Sequence, residues 1–344
     1  MQKVLGFLKY LFFLGVGVFL VWWSLHKIPE ENWPEFKQAI QTARYWILFP
    51  VFFILIGSHL LRAQRWRMLM QPLGYKPRLL NTFFAVMIGY LANLAVPRLG
   101  EVLKCTLLAR YEQVPADKLV GTIVAERAFD VVFLALVFLL TLILQYDIVS
   151  HYYASLVNKM FVDNGSISIK RILLFIITLV TIIIVLRWYF NRYKHKGFII
   201  SLKKILKGIV QGLVSVKHMQ NKGQFILASA GIWILYIAGT WLGFYATRGT
   251  EHLGVDVAIS ALAFGSIGMI ITPGGFGSYA LLVAIVLTRN NIPNEIALAN
   301  GNLQWFAQFL IVILIGFLSL GFLPYFNKTS KFNESNRDRT AEDI

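Results

Sequence analysis

The sequence predicts an all-α polytopic membrane protein, with about six transmembrane helices and two re-entrant helical hairpins arranged as an inverted repeat. Three observations predict it. Hydrophobic residues make up 57% of the 344-residue chain and its mean hydropathy is +0.63, a fraction that a soluble domain cannot bury. Apolar runs long enough to cross ~30 Å of hydrocarbon recur along the chain. Two further apolar regions are each interrupted midway by a proline and glycine break.

The full spans fall at about residues 5–26, 45–64, 121–148, 172–190, 224–247 and 299–323. The first follows a short basic start, exceeds a signal-peptide core and has no small-x-small cleavage site after it, so it reads as an uncleaved helix. Residues 80–112 and 257–289 hold the interrupted regions, with breaks VPRLGE and TPGGFGS. Each arm is marginal for a crossing, which favours hairpins that return to their own side. Residues 1–326 thus form the membrane domain, with halves at about 1–150 and 170–326, and residues 327–344 a polar cytoplasmic tail without a fold of its own.

The net charge of +16 lies in juxtamembrane loops, where it orients the chain and meets anionic lipid; nucleic acid is not implied. Arg62–Arg78 carries five basic residues and no acid, and Arg187–Lys222 carries nine and no acid, which places both in the cytoplasm. Balanced or acidic segments at 27–44, 147–171 and 248–256 fit the outside. Both termini are then cytoplasmic, in a cell (inner) membrane. SLKKILKGIVQGLVSVKHMQNKG, residues 201–223, alternates apolar and lysine-rich faces as an interfacial helix does. The single cysteine, Cys105, excludes an intrachain disulfide, and the six scattered histidines have no metal-ligand spacing. No metal, cofactor or catalytic residue is expected.

The halves share more than their order of elements. Pro97 and Pro273 lie 176 positions apart, as do Gly89 and Gly265; Pro115 and Pro293, Glu126 and Gln304, and Asp130 and Gln308 each lie 178 apart. Inverted repeats with broken helices mark transporters.

The candidate binding residues cluster at these features. In AVPRLGE, proline removes a backbone donor and glycine permits the turn. Arg98, Gly100, Glu101 and Lys104 surround it, and charges there must be paired or wetted; at the interface the cations would simply snorkel. In VAERAFDVV, Glu126 and Asp130 share a helix face with Arg127 between them, too far from the helix start for simple capping. A buried network joining them to Arg98, Lys104 or the Arg62/Arg65 pair is the sharper reading. Arg62 is the deeper arginine of HLLRAQRWRMLM and offers a planar fork to a phosphate. The glycine-rich turn with Gly274, Gly275 and Gly277 can present backbone N–H groups to an anion or pack tightly. Gln304 belongs to a polar stripe with Asn300, Asn302 and Gln308.

The pieces LLRAQRWRMLMQPLG (60–74), AVPRLGEVLKCTLLAR (95–110), VAERAFD (124–130) and TPGGFG (272–277) resemble, in this order, the lysylphosphatidylglycerol synthase transmembrane region family, the flippase-like integral membrane proteins. The resemblance runs over about residues 5–325. It implies lipid translocation as a class, in a stand-alone member without the soluble synthase domain. Where the family often places charge after its PGGxG turn, this chain has Ser278-Tyr279-Ala280. The substrate implied is a phospholipid or a polyprenyl-phosphate-linked lipid. The rival readings are a membrane enzyme acting on a lipid phosphate and a non-transporting partner of a separate glycosyl- or aminoacyl-transferase.

Overall fold

The computed structural model describes residues 2–96, 98–146, 219 and 221–342, with short stretches at 150, 162–163, 166–170, 173–174, 177–178 and 180–181. Most of the expected span at 172–190 and most of the amphipathic segment at 201–223 lie outside the described residues. Among the described residues the chain is helical, apart from a two-residue antiparallel ladder joining Val162–Asp163 to Ser166–Ile167.

Helix α1 spans Gln2–His26 and α2 Trp33–Gln41. Then come α3 (Leu48–Met70), α4 (Leu79–Ala95), α5 (Leu99–Glu112) and α6 (Ala116–Leu144). After the undescribed segment follow α7 (Lys222–Phe244), α8 (Val255–Ile271), α9 (Ser278–Arg289) and α10 (Asn294–Glu342). Among the described residues, four stretches are long and apolar enough to cross a membrane: Tyr45–Leu73, Ala116–Leu144, Lys222–Phe244 and Asn294–Lys328. Helices α4 and α8 have 17 residues each, or about 25 Å, short of a full hydrocarbon core.

Two boundaries differ from the sequence expectation. Helix α3 continues to Met70 instead of stopping at residue 64, because Arg62 and Arg65 are paired inside the protein and need no water. Those two arginines are therefore not loop charges; Arg67 sits in the last turn of α3, and the loop after it keeps Lys76 and Arg78. At the other end, the apolar stretch runs on to Lys328, past the expected end of the span at 323, and Asn327 is buried and exchanges amide hydrogen bonds of 2.9 Å with Asn81.

Helices α3 and α7 form the central pair. Gly57 faces Leu235, Gly231 faces Leu61, and Gly239 faces Ile54 and Leu55, so the two helices run antiparallel. Helix α6 packs on α8, while α10 packs on α4. Two apolar cores sit at opposite ends of the central pair. One gathers Trp66, Met70, Leu108, Leu119 and Phe225; the other gathers Phe244, Val257, Val283, Leu298 and, from α2, Phe36.

The two helical breaks have distinct chemistry. At the first, Val96 is extended, as a residue before proline must be, and Arg98 is left-handed at φ 69. The Asn93 side chain accepts the Gly100 N–H at 2.8 Å, satisfying one free donor at the start of α5. A Cβ on Gly100 would overlap the carbonyl oxygen of Gly89, so α4 and α5 cross at bare backbone. At the second break, Gly274, Gly275 and Gly277 all have positive φ, which the turn demands of glycine. Its carbonyls are occupied: Trp305 donates to Gly274 at 2.8 Å and Thr272 to Phe276 at 2.8 Å.

Outside the spans, Arg44 bridges to Glu251 at 3.3 Å, and the Arg44 N–H donates to the Ala246 carbonyl at 2.8 Å. Partial burial raises the Glu251 carboxyl, but its own and the Gly249 backbone N–H, with Arg44, outweigh this and hold it below its ordinary value.

The Gly89–Gly100 crossing predicts a specific sensitivity. Gly100→Ala should destabilise the detergent-solubilised protein by roughly 1–3 kcal/mol, through forced separation of α4 and α5. Gly121→Ala, in open space on α6, should be neutral or gain up to about 1 kcal/mol of helix propensity. Thermal unfolding midpoints of the two variants make the comparison.

Candidate lipid-binding site

The charged residues of VAERAFDVV divide between two faces of α6. Glu126 and Asp130, one turn apart, point at α3; Arg127, about 100° around the helix, points at α5. There Arg127 donates to Glu101 at 3.1 Å, in a pair that is substantially exposed. Glu126 and Asp130 have the opposite setting. Arg62 Nη1 lies 3.1 Å from Glu126 Oε1 and 2.7 Å from Asp130 Oδ2. Arg65 Nη2 lies 2.6 Å from Asp130 Oδ1, and Lys104 Nζ 3.0 Å from Glu126 Oε2. Arg65 is 0% exposed, Glu126 1%, Lys104 5% and Arg62 6%.

This cluster ties three helices together. Arg62 and Arg65 come from α3, Lys104 from α5, and the acids from α6. Arg62 is eight residues from the end of α3, about 12 Å along its axis, so the cluster lies well within the helix and not at its end. Ionised groups withdrawn from water at that distance persist only when each charge is answered. The surroundings reinforce the geometry: Lys104 Nζ sits 4.6 Å over the Trp66 ring, and Trp66 donates its indole N–H to Thr122 Oγ at 2.8 Å.

Above this floor opens a cavity of about 520 Å³, walled by residues of α3, α4, α6, α7, α8 and α10. Its wall is mostly apolar and aromatic. Arg62, Arg127 and Asp130 are its charged members, and the Arg62 guanidinium donates to Tyr236 Oη at 3.3 Å across it. On the far side, Gln304 donates to Asn300 Oδ1 at 2.8 Å and accepts from Tyr279 Oη at 3.5 Å. Asn300 in turn donates to the Gly243 carbonyl at 3.0 Å and to Thr247 at 3.1 Å. A small apolar volume with a few convergent polar groups is the form that binding sites take.

The sequence-derived candidates separate accordingly. Arg62, Arg127, Asp130, Gly274 and Gln304 line the cavity. Glu126 and Lys104 lie behind the wall, where Lys104 holds Glu126 and Glu126 holds Arg62. Glu101 and Gly100 belong to the α5 start, the first pairing with Arg127 and the second packing on Gly89. Arg98 is exposed at the turn and takes no part in the network. Gly275 and Gly277 are buried in packing, against Met269 and against Gly17 and Val21 of α1. Their expected role in presenting N–H groups finds no support at Gly275, whose N–H is bonded to the Thr272 carbonyl at 3.0 Å. The cavity residues that were not singled out from sequence include His59, Tyr90, Trp233 and Tyr236. His59 stands one turn before Arg62, a spacing that could have found it; the three aromatics carry no such signal. Among the described residues no group of His, Cys, Asp and Glu could hold a metal.

Comparisons with known proteins agree with the sequence resemblance. A UPF0104 membrane protein of Methanocaldococcus jannaschii is 23% identical over 329 residues, covering 93% of this chain and 94% of its own length. No solved structure matches the chain. The family described as lysylphosphatidylglycerol synthase TM region matches residues 7–316. The membrane-spanning helices and this match together show that the chain belongs to the lysylphosphatidylglycerol synthase transmembrane region family.

Proposed function

We propose that the protein is a flippase-like lipid translocase, moving a phospholipid or a polyprenyl-phosphate-linked lipid between leaflets without changing it chemically. The observation that carries this reading is the cavity: apolar walls for chains, a charged floor inside the span, and corresponding helices of two halves around it.

The correspondence supports inverted repeats. An offset of 176 carries α4, residues 79–95, onto 255–271, the bounds of α8. The left-handed backbone positions recur as well: Arg98 and Gly274 lie 176 apart, and Gln113 and Asn291 lie 178 apart. The corresponding helices α3 and α7 are antiparallel. The α4–α5 and α8–α9 pairs are then re-entrant hairpins whose tips approach each other, with Gly274 against Leu94. Two halves of opposite orientation around one site are the arrangement that alternating access requires. In this reading both termini are cytoplasmic, the membrane is the cell (inner) membrane, and no transferase partner is needed for transport.

Leaflet exchange of fluorescent phospholipid in proteoliposomes tests the path. Ser266→Trp places a bulky ring in the cavity wall and should slow exchange at least about tenfold, the effect of roughly 1.4 kcal/mol on the barrier. Exchange at the wild-type rate by a folded Ser266→Trp protein would remove the cavity from the path, and a chemically altered lipid would replace transport by enzymology.

The orientation has its own test, in a Cys105→Ser background. Tyr75→Cys and His252→Cys should be labelled from opposite sides by a membrane-impermeant thiol reagent, with His252→Cys reacting in intact cells. Labelling of both from one side contradicts the inverted arrangement.

A further inference from the structure

The cavity opens sideways, and one cation stands in the opening. Helices α6 and α8 run antiparallel: Gln145 donates to Asp256 Oδ2 at 2.8 Å, and two turns along the Phe138 and Phe264 rings meet at 5.6 Å. Two turns further, α6 has reached Val131 and α8 ends at Ile271. There the wall opens. Val131 is 53% exposed and Ile270 74%, yet both line the cavity. The next turn of α6 carries Arg127, four residues before Val131, and α8 does not reach it. Arg127 is the charged cavity residue that is open to the outside, with 48% of its side chain exposed against 7% for Arg62 and 16% for Asp130.

The rim around this cation is apolar. Val124 and Val131 flank Arg127 on α6, Leu99 and Val102 flank Glu101 on α5, and all four are exposed. A guanidinium in such surroundings needs an answering anion, and its present answer is partial. Arg127 Nη2 donates to Glu101 Oε1 at 3.1 Å; among the described residues Nε and Nη1 donate to nothing. A fork that can hold two oxygens is used at one corner. On the other partner, Glu101 Oε2 is buried without a hydrogen bond. Neither residue needs the pair. The buried cluster is bonded without Arg127, through Arg62, Arg65 and Lys104. Glu101 lies in the first turn of α5, where the helix N-terminus favours an anion.

Resting on the reading of this cavity as a lipid path, we propose that the gap beside α6, below the end of α8, is a lateral portal for membrane lipid, and that Arg127 is its binding residue, exchanging Glu101 for the phosphate oxygens of the entering lipid. The guanidinium fork takes two oxygens of the phosphate, and the apolar rim takes the chains. Glu101 is a positioning residue. It holds the guanidinium across the mouth, competes with the phosphate, and keeps the α5 N-terminus as its partner once displaced.

The test measures Kd on the detergent-purified full chain with three probes: phosphatidylglycerol, diacylglycerol of the same chains, and chain-free glycerophosphoglycerol. Arg127→Gln should weaken phosphatidylglycerol binding about tenfold, through loss of hydrogen bonds to a charged group, and leave diacylglycerol unchanged. Glu101→Gln should act in the opposite direction. Removing the competing carboxylate should tighten phosphatidylglycerol binding about two- to fivefold, the worth of an exposed ion pair, again with diacylglycerol unchanged. A bridge that merely braces α5 against α6 would give both variants the same sign. Arg127→Lys keeps the charge and loses the fork, so its Kd should fall between the wild type and Arg127→Gln; it carries the test if Arg127→Gln does not fold. A folded Glu101→Gln protein that binds phosphatidylglycerol no more tightly than the wild type, or an unchanged Kd in the Arg127 variants, overturns the proposal. Glycerophosphoglycerol binding as tightly as the lipid overturns the lipid source in favour of a soluble anion. Unmoved Kd values with intact leaflet exchange would end the portal and leave translocation standing; the expected shifts without exchange would do the reverse.

Discussion

Five ionised side chains from three helices are withdrawn from water together, and the rest of the structure is built around that constraint. Glu126 sits between Lys104 and Arg62, and Asp130 between Arg62 and Arg65. No member can be left alone, because an unanswered buried charge costs several kcal/mol. The requirement fixes the approach of α5 and α6 to α3. Close approach of α5 to α4 then follows from bare backbone at Gly89 and Gly100. The cluster closes the floor of the cavity.

The proposed repeat makes the asymmetry of the two halves informative. Under the offsets of 176 and 178, Glu126 and Asp130 correspond to Gln304 and Gln308, while Arg62, Arg65 and Lys104 correspond to Ala238, Trp241 and Leu282. Both signs of charge are missing from the second half together, as they must be if each exists to satisfy the other. Its interior uses amides and hydroxyls instead, with Asn300 reaching Gly243, Thr247 and Thr250. One half supplies the charge, and the other a neutral polar wall.

Much of this was legible in the sequence, because the breaks and the charges are written in residue types that have few other uses inside a span. Pro97, Gly100 and the glycines from 274 to 277 announced the breaks, and the i,i+4 spacing of Glu126 and Asp130 announced a shared face. Arg65 was visible three residues after Arg62, yet loop-charge counting treated both as orientation signals; a hydropathy window cannot know that a guanidinium is neutralised from another helix. Arg98 read as a site residue through its neighbours, but its left-handed backbone turns it out of the network. Trp233, Tyr90 and Tyr236 were illegible, since an aromatic in an apolar run looks the same whether it faces lipid, core or cavity.

The most direct measurement is a double-mutant cycle on Glu126 and Lys104, read as unfolding midpoint in detergent. Glu126→Gln alone leaves Lys104 buried without its carboxylate and should cost roughly 3–5 kcal/mol. Lys104→Met combined with Glu126→Gln removes one charge of each sign and should recover most of that loss, with a coupling energy of at least about 1 kcal/mol. A Glu126→Gln protein as stable as the wild type, or losses that merely add in the double variant, would contradict the account that this network holds the site together.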